Sequence, residues 1–146
     1  MKLLVDTNVL LDFYQKRQPF YEDWKSILLL HIVGDVELWA SAKSFTDIHY
    51  VASKQVGTRA IQQAFLESFS FLNVCSLDGN DIKKAAQLEW HDFEDCVIYQ
   101  AALKTKADYI LTRNTRDFEQ TKIPAITPHD LLNGPNTGFK FIDVSE

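Results

Sequence analysis

The sequence predicts a three-layer α/β sandwich, in which helices cover both faces of a parallel central sheet of four to five strands. Short apolar runs alternate along the chain with longer segments in which apolar residues recur every three or four positions. This alternation is typical of a parallel sheet packed between helices. The chain has 146 residues, of which 46% are apolar, so it can build the core of one domain.

The predicted strands are the short apolar runs. The first run contains no polar residue, as expected for a strand that is buried on both faces of a sheet. The five runs lie at residues 3–5, 36–40, 72–77, 109–112 and 125–127.

The segments between these runs have helical spacing and recognisable boundaries. Pro19 ends the first helix, and Gly57 closes the helix for which Ser41 is the predicted N-cap. Asp92 and Asp95 have the spacing of a capping box, with Asp in place of Glu. The predicted helices cover residues 9–14, 20–32, 41–57, 58–69, 81–89, 92–106 and a short segment that Thr127 and Pro128 open.

One domain is predicted over residues 1–132. The tail, residues 133–146, contains two glycines and a proline, and its apolar residues alternate only loosely. We expect it to form an edge strand or an arm that becomes ordered on a partner.

The composition limits the class of protein. A net charge of −5 argues against binding nucleic acid by charge alone, unless basic residues cluster locally or a cation is bound. The longest apolar run, residues 27–33, is far shorter than the roughly 20 residues of a membrane helix. Asp6 comes too early for a signal peptide, and two cysteines make neither a disulfide framework nor a zinc site. We expect a soluble, cytoplasmic protein.

Acidic and polar residues follow two of the predicted strands. Asp6 comes directly after the first strand, and Thr112, Asn114 and Asp117 come at or after the fourth. The structural alternative for Asp6 is a helix N-cap, and for Asn114 a turn. In a doubly wound sheet, however, the first and fourth strands end side by side, which predicts that these residues meet at one edge.

Further acids come from two predicted helices. Asp47 lies nearly two turns into its helix, so it is not a cap, and a solvated surface position is the simpler alternative. Asp92, Glu94 and Asp95 crowd one helix start, where they also complement the helix dipole.

The joint interpretation is a cation site. Converging carboxylates repel one another and raise one another's pKa, and a divalent cation relieves that repulsion. Oxygen ligands without His or Cys favour Mg²⁺ or Mn²⁺. Such a site can act on phosphates, because the metal orients water and neutralises developing charge.

Four segments in order resemble the PIN domain, a nuclease family that includes the VapC-type toxins of toxin–antitoxin pairs. The opening LLVDTNVLLD resembles the family's hallmark start, and residues 126–128 resemble its closing strand. The other three resembling segments are residues 44–51, 92–102 and 109–118. The resemblance covers about residues 1–132 and implies a metal-dependent endoribonuclease that leaves a 5′-phosphate and a 3′-hydroxyl.

The resemblance also implies roles for individual residues. Its catalytic acids fall on Asp6, Asp47, Asp95 and Asp117. Asp6, Asp95, Asp117 and Asp92 would hold the Mg²⁺ or Mn²⁺, and Asp47 would orient or deprotonate the attacking water. Asn8, Thr112 and Asn114 would support the site with hydrogen bonds. One departure is Asp47, because the family commonly has Glu there, and the shorter side chain would then work through water.

The predicted partners are RNA, an antitoxin protein and a second copy of the chain. The candidate phosphate contacts flank the site in sequence, although solvated surface charge explains them equally simply; they are Lys16, Arg17, Arg113 and Arg116. Two other functions stay open at this point. One is a non-catalytic PIN-like module that binds RNA or protein, and the other is an aspartyl phosphatase, which Asn8 disfavours because its usual start is Asp-x-Asp.

Overall fold

A computed structural model describes residues 1–134 and confirms the predicted fold class. Its centre is a parallel sheet of five strands in the order β3-β2-β1-β4-β5. The strands are β1 Lys2–Val5, β2 Glu37–Ser41, β3 Leu72–Cys75, β4 Tyr109–Leu111 and β5 Ala125–Ile126. The tail predicted from residue 133 lies outside the described residues, except for Asn133 and Gly134.

Seven α-helices connect the strands within the described residues. They are α1 Thr7–Tyr14, α2 Phe20–Ile32, α3 Ala42–Val56, α4 Thr58–Ser68, α5 Gly79–Gln87, α6 Phe93–Thr105 and α7 Pro128–Asn133. A short 3-10 helix, Thr115–Phe118, was not predicted. None of the helices in residues 1–134 has the length and apolar content needed to cross a bilayer.

The prediction was wrong about the boundary between β3 and α5. The strand ends at Cys75 rather than at residue 77, and α5 begins at Gly79 rather than at residue 81. The reason is a capping box in which the Asp78 carboxylate accepts the Asp81 N–H at 3.1 Å, while the Asp81 carboxylate accepts the Asp78 N–H at 2.9 Å. This reciprocal cap starts the helix two residues earlier than the apolar spacing indicates.

Alternate residues of β1 face the two helical layers. Leu3 and Val5 pack with α1, α2, α3, α4 and α7, whereas Leu4 packs with α6 and the 3-10 helix. All three side chains are fully buried, as the absence of polar residues in this run predicts.

The strand order places β1 directly beside β4. Val5 pairs with Leu111, and the Asp6 N–H continues the ladder by donating to the Leu111 carbonyl at 2.9 Å. The helices after β1 and the crossover into β4 lie on opposite faces of the sheet, so this is the switch point where such folds bind ligands.

A buried ion pair joins α1 to the loop that follows β4. The Asp12 side chain is 2% exposed, and its carboxylate lies 2.8 Å from Nε of Arg113 and 3.9 Å from Nη1 of Arg17. Burial raises the pKa of Asp12, while Arg113 and Arg17 act in the opposite direction. The ion pair of the buried Asp12 carboxylate therefore holds the loop after β4 against α1.

We expect Arg113→Gln to lower the free energy of unfolding by about 2 kcal/mol at pH 7, because it leaves a buried carboxylate with only the more distant Arg17. The double variant Asp12→Asn/Arg113→Gln should recover part of this loss, since no buried charge remains. Urea denaturation of both variants and the wild type measures the effect. Equal losses of unfolding free energy in the single and double variants would show that the loss does not come from an unpaired Asp12 carboxylate.

Candidate functional site

Asp6 is the first residue beyond β1 at the switch point. Its side chain is 6% exposed, accepts the Thr7 N–H at 2.8 Å as the N-cap of α1, and accepts the hydroxyl of Thr112 at 2.8 Å. Burial raises the pKa of Asp6 to about 6, against the effect of these hydrogen bonds and with a further contribution from Glu94 and Asp117. The structural and functional interpretations of Asp6 therefore both hold: it caps α1, and it carries a destabilised charge.

Thr112 connects the polar residues that were predicted to support the site. Its Oγ1 donates to Asp6 and accepts from Asn8 Nδ2 at 3.3 Å and from the Asn114 N–H at 3.1 Å. Asn8 in turn accepts the Arg113 N–H at 3.3 Å. Since Thr112 is fully buried, this network holds the carboxylate of Asp6 in one orientation.

Asp95 lies in the first turn of α6, where Asp92 is the N-cap and accepts the Asp95 N–H at 3.1 Å. The pKa of Asp95 is raised to about 7, first by burial and then by the charges of Asp92, Asp6 and Asp117. The sequence predicts repulsion among Asp6, Asp47, Asp95 and Asp117. In the folded chain the charges that raise the pKa of Asp95 come from Asp92, Asp6 and Asp117, and Asp47 is not among them.

Glu94 also belongs to this group of acids, and the sequence prediction omitted it. Its charge helps to raise the pKa of Asp6, although its own side chain is exposed. The available signal was its position beside Asp95 in the first turn of α6, but the resemblance assigned no role to that position.

A cavity of about 360 Å³ opens beside these acids; we call it the acidic cavity. Asp92, Asp95 and Asp117 line it together with Trp90 and Arg116. Arg116 is exposed and forms no ion pair with any residue in 1–134. It is therefore a cation available to a phosphate at the edge of the acids.

Asp47, which was predicted to join the group, lies on α3. Ser44, one turn earlier, lies 2.8 Å from the Thr7 hydroxyl, next to Asp6. The carboxylate of Asp47 itself accepts a hydrogen bond from Lys43 Nζ at 2.6 Å, and the charges that raise the pKa of Asp6 and Asp95 do not include it. Within the described residues the charge of Asp47 is thus paired with Lys43, and no contact places its carboxylate among the other acids.

The four predicted phosphate contacts divide into two pairs. Arg17 and Arg113 both face the buried Asp12, whose single negative charge offsets one of their two positive charges. Lys16 and Arg116 are exposed, and neither forms an ion pair within the described part of the chain.

The donor chemistry fits a hard divalent cation. Carboxylates dominate the group, and amide and hydroxyl side chains support them. Two of the carboxylates have raised pKa values, first because they are buried and then because other acids lie near them. Across residues 1–134, no three His, Cys, Asp or Glu side chains are spaced closely enough to share one ion as they stand.

Asp95→Asn should stabilise the protein in a chelator, and more at pH 8 than at pH 5. A raised carboxylate pKa means that the folded state binds its proton more tightly than the unfolded chain, so stability falls as pH rises from the ordinary value of 3.8 to about 7. Screening reduces the effect to on the order of 1–2 kcal/mol, a shift of a few degrees in melting temperature. Thermal melts at both pH values measure it, and a gain that is equal at both would contradict the electrostatic origin.

Solved structures with a similar fold come from bacterial toxin–antitoxin systems. VapBC2 of Rickettsia felis, bound to a DNA fragment from its promoter, has a TM-score of 0.68 at 16% identity over 87% of this chain and 98% of its own. VapBC-1 of Haemophilus influenzae has a TM-score of 0.67 at 18% identity over 88% and 99%. VapC20 of Mycobacterium tuberculosis, a sarcin–ricin loop cleaving toxin, has a TM-score of 0.59 at 12% identity over 74% and 86%.

The sequence itself matches one family over most of its length. No curated protein matches it significantly. The profile of the PIN domain, however, matches residues 2–116, which include β1 through β4 together with Asp6 and Asp95, while Asp117 lies one residue beyond the match. The chain therefore belongs to the PIN domain family.

Proposed function

We propose that this protein is a metal-dependent endoribonuclease and the toxin of a toxin–antitoxin pair. The observation that carries the proposal is the meeting of Asp6, Asp95 and Asp117 at the switch point, with the pKa of Asp6 raised to about 6 and that of Asp95 to about 7. Burial and repulsion oppose the ionisation of these carboxylates, and such perturbed acids in a cleft are typical of groups that bind a ligand.

Asp6, Asp95, Asp117 and Asp92 are the residues that would hold Mg²⁺ or Mn²⁺. When bound, the ion would neutralise charge on the scissile phosphate and orient the attacking water. The chain's own contribution is positioning: Thr112 orients Asp6 through its hydroxyl, and Asp92 fixes the first turn of α6 through the Asp95 N–H.

Two further residues have roles in the proposal. Arg116, on the rim of the acidic cavity, would contact the phosphate of the RNA. Asp47 would orient or deprotonate the water, which requires its carboxylate to leave Lys43.

The structural neighbours support the partner as well as the reaction. VapC20 of Mycobacterium tuberculosis is a sarcin–ricin loop cleaving toxin, and a Klebsiella pneumoniae neighbour is a toxin–antitoxin complex. By analogy, we propose that an antitoxin protein binds this chain and controls its activity.

Asp95→Asn should reduce single-turnover cleavage of RNA in Mn²⁺ by at least about a hundredfold while leaving the fold intact. Asn is as good a helix-terminus residue as Asp, but it removes a negative charge and weakens a ligand for a hard cation. The measurement is cleavage of an end-labelled pool of random single-stranded RNA, with circular dichroism to verify folding.

Asp130→Asn is the matched control for that experiment. Asp130 occupies the same position in α7 that Asp95 has in α6, and its N–H is likewise accepted by the N-cap, here Thr127 at 3.1 Å. The Asp130→Asn variant should cleave the RNA pool at the wild-type rate. Cleavage by Asp95→Asn at the control's rate would refute the assignment, and a wild type that binds the pool in both metals without cutting it would instead favour the non-catalytic module.

Millimolar Mn²⁺ should raise the melting temperature of the wild type, more at pH 8 than at pH 6, and should do so much less in Asp95→Asn. Metal competes with protons for the carboxylates, and the pKa of Asp95, raised to about 7, lies between these pH values. Differential scanning fluorimetry against a Ca²⁺- and Mn²⁺-free sample measures the shift. Equal shifts in both variants would mean that the ion binds elsewhere.

A further inference from the structure

A second cavity, of about 380 Å³, lies beside the candidate site and is separate from the acidic cavity. We call it the Phe20 cavity. Its volume falls within the range of ~300–1,000 Å³ that small-ligand sites occupy. The residues that matter here are Phe20, Asp23, Arg113, Asn114, Pro128 and His129, which all line it.

This cavity is connected to Asp6 through the segment that follows β4. Arg113 and Asn114 directly follow Thr112 in the chain, and the Asn114 N–H donates to the Thr112 hydroxyl that in turn binds Asp6. A ligand that contacts Asn114 therefore touches a residue whose N–H belongs to the hydrogen-bond network that orients Asp6.

Phe20 and Arg113 give the cavity two planar groups that already lie against each other. The guanidinium of Arg113 lies 4.3 Å from the centroid of the Phe20 ring. The ion pair with Asp12 holds this guanidinium in place. Phe20 remains 39% exposed. Because these planes are already held in place, a planar ligand that stacks on them pays little ordering entropy.

Polar groups at the same cavity have free hydrogen-bonding capacity. The amide nitrogen of Asn133 donates to the His129 carbonyl at 2.9 Å and lies 3.3 Å from His129 Nδ1, which must then accept. In neutral His129 the ring proton is consequently on Nε2, where it is a donor. The Asn114 amide and the Asp23 carboxylate form no side-chain hydrogen bond within residues 1–134 that would occupy them.

The charge of the cavity favours an uncharged ligand over a phosphate. Its one cation, Arg113, is compensated by Asp12, and Asp23 adds a negative charge. A flat surface combined with donors and acceptors at its edge is the arrangement that proteins use for an unstacked nucleobase.

We propose that the Phe20 cavity is a nucleobase subsite, which binds one base of single-stranded RNA next to the phosphate held at the acids. This proposal deepens the proposed ribonuclease function. It assigns sequence preference to Phe20, Asn114 and His129, none of which would hold the metal.

Nucleotide binding tests the subsite without any cleavage. The metal-free, full-length chain is titrated with AMP, CMP, GMP and UMP, and with ribose 5-phosphate as the control without a base, while NMR follows the Asn114 amide and the His129 ring. At least one nucleotide should give saturable shifts that ribose 5-phosphate does not. Phe20→Leu should weaken that affinity about fivefold or more, whereas Phe20→Tyr, which keeps the ring, should preserve it.

Leu29→Ala, at a 56% exposed position of the same helix but outside the cavity, should leave the affinity unchanged. Shifts with ribose 5-phosphate alone would show a phosphate site and overturn the proposal. So would the absence of shifts with all four nucleotides, or equal affinity in Phe20→Leu.

Cleavage of the random RNA pool separates this proposal from the proposed function. In Phe20→Leu, the base preference at one position flanking the cut should weaken and KM should rise, with kcat nearly unchanged. Cutting with an unchanged preference would overturn the subsite and leave the ribonuclease intact. Nucleotide binding that depends on Phe20, in a protein that cuts no RNA, would support the subsite and overturn the ribonuclease.

Discussion

The repulsion among carboxylates at the carboxyl edge of β1 and β4 is the constraint to which the rest of the site responds. Asp6 cannot move away from this repulsion, because it caps α1 and its N–H is part of the sheet ladder. Asp95 is held in place by the cap of α6. Both carboxylates are thus held in place by hydrogen bonds that involve the backbone, so binding a proton or a cation is what relieves their charge.

Much of this arrangement could be predicted from the sequence, because local signals and topology agree. The apolar run before Asp6 and the caps Ser41, Asp92 and Thr127 all lie where expected. The parallel topology then brings β1 beside β4, and with it Asp6 beside Thr112. Where a local cap had an unrecognised partner, as with Asp78, the predicted boundary was wrong by two residues.

The electrostatic roles of the basic residues could not be predicted, because they depend on contacts between distant segments. All four predicted phosphate contacts flank the site in sequence, so the sequence alone does not distinguish Lys16, Arg17, Arg113 and Arg116. Only the fold shows that Asp12 is buried and faces two of them, Arg113 at 2.8 Å and Arg17 at 3.9 Å, since Asp12 and Arg113 are about a hundred residues apart. Three-dimensional pairing decides which cations remain available to a phosphate.

The position of β1 in the sheet has a consequence for the order of events during protein synthesis. The first strand pairs with β4, whose residues follow it by more than a hundred positions, and Asp6 needs Thr112 as its hydrogen-bond donor. Such long-range pairing forms late in folding. A ribosome must therefore release most of the chain before the acids assemble, so a nascent fragment that ends before β4 carries no complete site.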